Sequence, residues 1–219
     1  MKDAWGRTIE YVRLSLTDAC NFCCPYCRPA EITPQSQHQL LSVDEWMTIL
    51  GAFHQVGVKA VRLTGGEPLL YPHIEELLAR IKQTGWFEDI SMTTNGSLLA
   101  PRAAKLKELG LNRVNISLDS LDSDAFTLCV GKANQLDSVL NGIQSAIDAG
   151  FTSVKINTVL SRHWIDDEVH DLLHYVETWP VIWRFIEYMP FQGDAFHGPT
   201  FDEWKAQLER VSGGVLTEN

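Results

Sequence analysis

In the stretch Leu106-Lys107-Glu108-Leu109-Gly110-Leu111-Asn112-Arg113-Val114-Asn115-Ile116-Ser117-Leu118-Asp119, a helical pattern ends at Gly110 and an apolar, β-prone run begins almost at once. Glycine just past a helix end is the usual left-handed stop. Successive strand side chains point to opposite faces, so Asn115, Ser117 and Asp119 share one face and Val114, Ile116 and Leu118 the other. The same punctuation recurs at Gly57, Gly85 and Gly150. Read outward from this unit, the chain has strands near 9–16, 58–64, 88–94, 112–118, 152–159 and 182–188. Helices fall at about 42–56, 72–84, 101–109, 137–149, 166–178 and 201–211. Ser42-x-x-Glu45 and Thr200-x-x-Glu203 have the form of capping boxes. Strands alternating with helices imply right-handed crossovers and a parallel sheet.

The one-sided polarity recurs as well. Arg13, Ser15 and Thr17 oppose Val12, Leu14 and Leu16; Arg62 and Thr64 oppose Val61 and Leu63; Lys155 and Asn157 oppose Val154 and Ile156. A flat, doubly wound parallel sheet is covered on both faces and reads as near-continuous apolar runs. A polar inner face instead suits an incomplete (β/α)6 barrel, TIM-like in architecture, whose lumen is open and wet. The expectation is an α/β single domain over residues 1–219, with an N-terminal extension at 1–8 and a C-terminal helix and tail at 191–219. Catalytic groups of such barrels sit at the C-terminal ends of the strands and in the loops that follow.

Composition narrows the function classes. An apolar fraction of 45% and a charged fraction of 21% are those of a globular protein. No run of apolar residues is long enough to span a membrane, and the first residues lack the apolar stretch of a signal peptide, so the cytoplasm is the expected compartment. A net charge of −10 argues against nucleic acid as a partner. Any anionic ligand needs a local basic site.

Four of the five cysteines crowd into Thr17-Asp18-Ala19-Cys20-Asn21-Phe22-Cys23-Cys24-Pro25-Tyr26-Cys27, directly after the first strand. Three thiolates on one loop can hold an iron–sulfur cluster that normally takes four, which leaves one iron open, as catalytic zinc sites keep a position open. Cys24-Pro25-Tyr26-Cys27 also has the form of a glutaredoxin-like thiol-exchange motif, and a structural zinc site is a third reading. Zinc takes four ligands, usually as two separated pairs, and no second pair follows; His170 and His174 read as a solvated helix face. After the second strand comes Thr64-Gly65-Gly66-Glu67-Pro68. Two glycines allow a ligand close to the backbone, Glu67 can accept from an ammonium group, and Pro68 suits a helix start. Cys129 reads as a small buried hydrophobe and Cys23 as an incidental neighbour.

The spacing C-x3-C-x2-C with an aromatic before the last cysteine resembles the signature of the radical S-adenosylmethionine (SAM) enzymes. Further segments resemble the GTP 3′,8-cyclase family of molybdenum-cofactor biosynthesis: Tyr11–Asp18, Val61–Leu69, Thr93–Gly96, Asn115–Leu121, Lys155–Asn157 and Arg184–Pro190. This resemblance implies a [4Fe–4S] cluster on Cys20, Cys24 and Cys27 whose open iron chelates SAM. It implies SAM contacts from Tyr26 near the adenine, from Gly65, Gly66, Glu67 and Pro68 near the methionine amino group, and from Thr94, Asn115, Ser117 and Met189. Arg13, Arg62, Lys155, Asn157 and Arg184 would face the phosphates of a small anionic substrate such as a nucleotide. An electron donor such as a flavodoxin or ferredoxin is implied too.

The pattern departs from that family on the substrate side. Ala19, Ala60, Tyr71 and His163-Trp164-Ile165 stand where the family has basic or Gly-x-Asn positions, and the three cysteines of a second cluster have no counterpart. The expectation is therefore a radical SAM enzyme that abstracts hydrogen from a small anionic substrate. A shortened GTP cyclase, a catalytically silent cluster- or SAM-binding partner, and a glutaredoxin-like exchanger are its alternatives. A partner protein or a second copy would close the barrel's open side, with Tyr188-Met189-Pro190-Phe191 and the helix near 201–211 as candidate surfaces.

Overall fold

The computed structural model describes residues 4–27, 40–162, 164–189 and 198–213. The chain runs β1 (Tyr11–Ser15), α1 (Val43–Gln55), β2 (Ala60–Thr64), α2 (Ile74–Thr84), β3 (Asp89–Thr94), α3 (Ala103–Glu108) and β4 (Arg113–Ser117). It continues through α4 (Ser123–Val130), α5 (Leu136–Asp148), β5 (Ser153–Leu160), α6 (Asp166–Thr178), β6 (Ile182–Glu187) and α7 (Phe201–Val211). The six strands form one parallel sheet in the order β1-β2-β3-β4-β5-β6. Its two end strands do not pair with each other, so the barrel is incomplete on the side between β1 and β6, as the alternation predicts.

The outward faces of the strands are the apolar ones. Leu14, Val61, Leu63, Val114, Ile116, Val154 and Ile156 are buried in one core with α1, α2 and α5 residues such as Leu50, Leu77 and Ile143. A second, smaller cluster joins Leu160, Trp164, Val169 and Leu172 to Trp204 of α7, with Phe185 of β6 packed against it. Both capping boxes form: Ser42 accepts from Glu45 N and Thr200 from Glu203 N, and each glutamate carboxylate returns to the cap backbone. Among the described residues no helix is long and apolar enough to cross a membrane.

The sequence reading omitted one element. Helix α4 fills the span between the fourth strand and the helix expected at 137–149. Its signals are present: Asp122 caps it by accepting from Ala125 N, and Gly131 (φ 67°) ends it in the left-handed conformation. Pro190 and Phe191 of the candidate surface, His163, and residues 1–3 and 214–219 of the two termini lie outside the described residues.

Candidate active site at the barrel mouth

The β1–β2 ladder does not stop where the strands do. Leu16 N donates to Thr64 O at 2.9 Å, Gly66 N to Thr17 O at 2.7 Å and Glu67 N to Ala19 O at 2.8 Å. The start of the cysteine loop is thereby stitched to the loop after β2. This close approach is what the two glycines serve. A Cβ at Gly65 (φ 145°) would sit 2.4 Å from Thr17 O, and one at Gly66 2.3 Å from Ala19 O. The protein's own backbone fills the Cβ side of both glycines, and both also border the cavity described below, where the sequence expects a ligand.

Helix α4 holds the loop from the other side. Phe22 packs edge-on against Phe126 with ring centroids 6.3 Å apart, and Cys23 N donates to Val130 O at 2.9 Å. A Cβ at Gly131 would meet Cys23 O at 2.6 Å, so this stop also lets helix and loop touch. Further on, the Tyr26 hydroxyl donates to Asp119 at the end of β4.

These supports enclose a cavity of about 220 Å³ at the C-terminal end of the strands. Cys20, Cys24, Tyr26, Cys27, Gly65, Gly66, Thr94, Ser117 and Asn157, all singled out from the sequence, line it. Its wall also includes Asn95, Asp119, and Phe126 and Val130 of α4. Asn95 and Asp119 lie inside quoted motif segments, and only their side-chain contacts reveal their place. Phe126 and Val130 needed the omitted helix.

Other candidates lie elsewhere. Glu67 is fully buried and does not line the cavity. Its carboxylate accepts from Leu69 N at 3.0 Å, Thr94 Oγ1 at 2.7 Å and Asn95 N at 2.7 Å. Burial raises its pKa, an effect those donors and the charge of Arg102 oppose. Pro68 opens a single 3₁₀ turn beneath the loop. Met189 is 76% exposed and outside the cavity wall.

The polar strand faces form a second layer deeper in the lumen. Arg184 Nη2 donates to Asn157 Oδ1 at 2.6 Å and to Asn115 Oδ1 at 3.0 Å, which puts Asn115 in the basic layer and Asn157 at its boundary with the cavity. Arg62 donates to Ser91 Oγ at 3.3 Å and covers the Tyr11 ring. Burial, then the charges of Arg184, Arg113 and Arg62, lower the pKa of Lys155. Burial, then Arg62 and Arg113, lower that of Arg184. Arg113 is a lumen-side cation missing from the sequence-based set, and a two-pronged ion pair with Asp89 occupies it. Among the described residues none of Arg62, Lys155 and Arg184 forms an ion pair with a carboxylate. Glu187 accepts instead from Phe201 N at the start of α7. Arg13 is exposed on the edge strand, in register with Arg62.

The Cys24 thiol is tuned against bare thiolate chemistry. Burial first, then the Asp119 charge and the neighbouring Cys27 and Cys20, push the Cys24 thiol up to about 12. A thiol-exchange enzyme needs the opposite shift. No three His, Cys, Asp or Glu side chains among the described residues come close enough to share a single metal ion. The sulfurs of Cys20, Cys24 and Cys27 instead border one cavity, which suits a group with several irons, each taking one sulfur. Cys20 Sγ already faces N–H donors, Phe22 N at 3.4 Å and Asn95 Nδ2 at 3.9 Å, of the kind that stabilise cluster sulfurs. The donor set fits an iron–sulfur cluster.

Comparison with known proteins decides the family. The Radical SAM superfamily profile matches residues 14–176. The chain belongs to the radical SAM superfamily. The cofactors of that family are a [4Fe–4S] cluster and SAM. A GTP 3′,8-cyclase 2 of Pseudomonas aeruginosa is 42% identical over 95% of this chain and 64% of its own length. A GTP 3′,8-cyclase of Listeria monocytogenes is 44% identical over 87% of this chain and 57% of its own. The chain thus spans about three-fifths of the length of these relatives. Among solved structures, Streptococcus suis SuiB bound to S-adenosylmethionine shares the fold, with a TM-score of 0.74 at 18% identity, covering 93% of this chain and 47% of SuiB. Methylornithine synthase (PylB) does likewise, with a TM-score of 0.68 at 18% identity, over 95% of this chain and 63% of that one.

Proposed function

We propose that this chain is a radical-generating enzyme that binds SAM in the mouth cavity and a small anionic substrate in the basic layer beneath it. The observation that carries the reading is the meeting of Cys20, Cys24 and Cys27 with Gly65, Gly66, Thr94 and Ser117 around one cavity, whose wall residue Asn157 also accepts from Arg184. The reduced cluster, when bound, supplies the electron that splits SAM into methionine and a 5′-deoxyadenosyl radical, which takes hydrogen from the substrate. The protein's part is placement. Cys20, Cys24 and Cys27 would hold three irons, the loop after β2 sets the cysteine loop, Ser117 would offer a hydroxyl to SAM, and Thr94 lines the pocket while its hydroxyl holds Glu67. Phe22, Phe126, Val130 and Val159 exclude water from the reacting centre. Arg62, Lys155 and Arg184, with Arg13 at the edge, receive the substrate's anionic groups, and Asn157 spans the two layers.

The identity with GTP 3′,8-cyclases makes GTP the first substrate to test, with another phosphorylated small molecule as the competing reading. On this proposal residues 1–219 act as one core domain in the cytoplasm, reduced by a flavodoxin or ferredoxin, and a partner or second copy covers the side between β1 and β6. The test is anaerobic. Iron and sulfide are reconstituted, SAM and dithionite added, and 5′-deoxyadenosine measured with and without GTP. The wild type should form it and Cys24→Ala should not. No product from the wild type, or undiminished product from the variant, ends the proposal; a cyclised GTP product fixes the substrate.

A further inference from the structure

Asp119 is a carboxylate in the cavity wall, 2% exposed, and has no part in the function proposed above. Its two hydrogen bonds reach two separate elements, the loop after β1 and the neighbouring strand β5. Oδ2 accepts from the Tyr26 hydroxyl, carried by the loop after β1, and Oδ1 accepts from Val159 N in β5 at 2.8 Å. In the sheet β2 and β3 lie between β1 and β4, so the contact from Tyr26 to Asp119 crosses the lumen instead of following neighbouring strands. Thr158 Oγ1 donates to Leu118 O at 2.5 Å and braces the same strand ends. The cysteine loop is thus fixed by backbone bonds to the loop after β2 and, at Cys23, to Val130 of α4. On the far side, beyond Cys24, Asp119 supplies the side-chain acceptor. A hydroxyl bound to a carboxylate is roughly twice as strong a link as a neutral pair.

We propose that Asp119 is a positioning residue, which anchors Tyr26 and the Cys24–Cys27 turn to β4 and β5 and so sets the shape of the SAM-facing wall. The effect on SAM rests on the function proposed above; the tether itself can be tested without any cofactor. Tyr26→Phe keeps the ring and removes the donor. Asp119→Asn keeps an acceptor for Val159 N and a polar contact for Tyr26. Asp119→Ala removes both.

In metal-free protein, hydrogen exchange followed by mass spectrometry should show residues 20–27 exchanging about tenfold faster in Tyr26→Phe and in Asp119→Ala. Exchange in α1 and α2 should not change. The double variant should be no faster than the faster single one, because both remove the same link. Unchanged exchange in the single variants, or effects that multiply in the double, overturns the proposal. In reconstituted protein, the Kd for SAM should rise about tenfold for Asp119→Ala and less than about threefold for Asp119→Asn. The SAM-induced change in the EPR signal of the reduced cluster should weaken in the same order. A faster-exchanging loop with unaltered SAM affinity overturns the positioning role. Should Asp119→Ala not fold, Tyr26→Phe and Asp119→Asn give both readouts. A wild type that fails to bind SAM removes the functional reading, and the exchange result still decides the tether.

Discussion

At the barrel mouth Glu67 takes hydrogen bonds from Leu69, Thr94 and Asn95, and Asp119 takes them from Tyr26 and Val159. One layer deeper, among the described residues, Arg184 donates to the amide oxygens of Asn115 and Asn157, and Lys155 has charged neighbours of its own sign. The mouth answers its buried charges within the protein and is pre-shaped. The interior leaves cations with neutral partners, an arrangement that costs free energy unless an anion completes it. Residues that hold a loop in place and residues that wait for a ligand are therefore distinguishable here by their hydrogen bonds alone.

Four experiments sharpen or break that contrast. Phe126→Ala removes the ring on which Phe22 rests and should cost about 3–5 kcal/mol. Thermal unfolding measures it, and a loss under about 1 kcal/mol would mean that α4 does not support the loop. Gly65→Ala forces a methyl group against Thr17 O at a positive φ and should cost about 3 kcal/mol. Iron bound per chain after reconstitution should fall with it. Full loading in a stable Gly65→Ala protein would refute the stitched ladder.

Arg184→Gln should behave in the opposite way. Stability should stay within about 0.5 kcal/mol of wild type, while affinity for inorganic triphosphate, by calorimetry, falls about tenfold or more. A large loss of stability would place Arg184 with the structural group. The smallest effect concerns α7. Arg210 and Gln207 hold the carboxylate of Asp166 down to about 2, against an ordinary value of 3.8. A depressed acid contributes stability above its unfolded pKa and loses it as the pH falls through the folded value. The Tm gap between wild type and Arg210→Ala should therefore be small at pH 6 and close as the pH falls toward 2. Both side chains are exposed, so salt should also narrow it.

Much of this was legible in the sequence because it is local. The glycine stops and the two-residue alternation place all six strands to within a few residues, and the polar parity of Arg62, Asn115, Ser117 and Asn157 points inward as expected. Helix α4 escaped because it is short and held by its neighbours more than by a long periodic face, although Asp122 and Gly131 announced both ends. The backbone contact that Gly65 and Gly66 permit was not legible, because it depends on which loop lies against which. The same holds for the burial of Glu67 and for the pairing that removes Arg113 from the free cations. Those are facts of assembly, and no window along the chain contains them.

Because strand-type pairing runs on through Gly66 and Glu67 into the cysteine loop, the nest for iron belongs to the sheet itself. Small zinc modules gain their shape from the metal and unfold when it is stripped. Here backbone bonds that involve no metal ligand tie the start of the loop to the sheet, so oxidative loss of iron should leave an empty but intact socket, and repair becomes a matter of reloading without refolding.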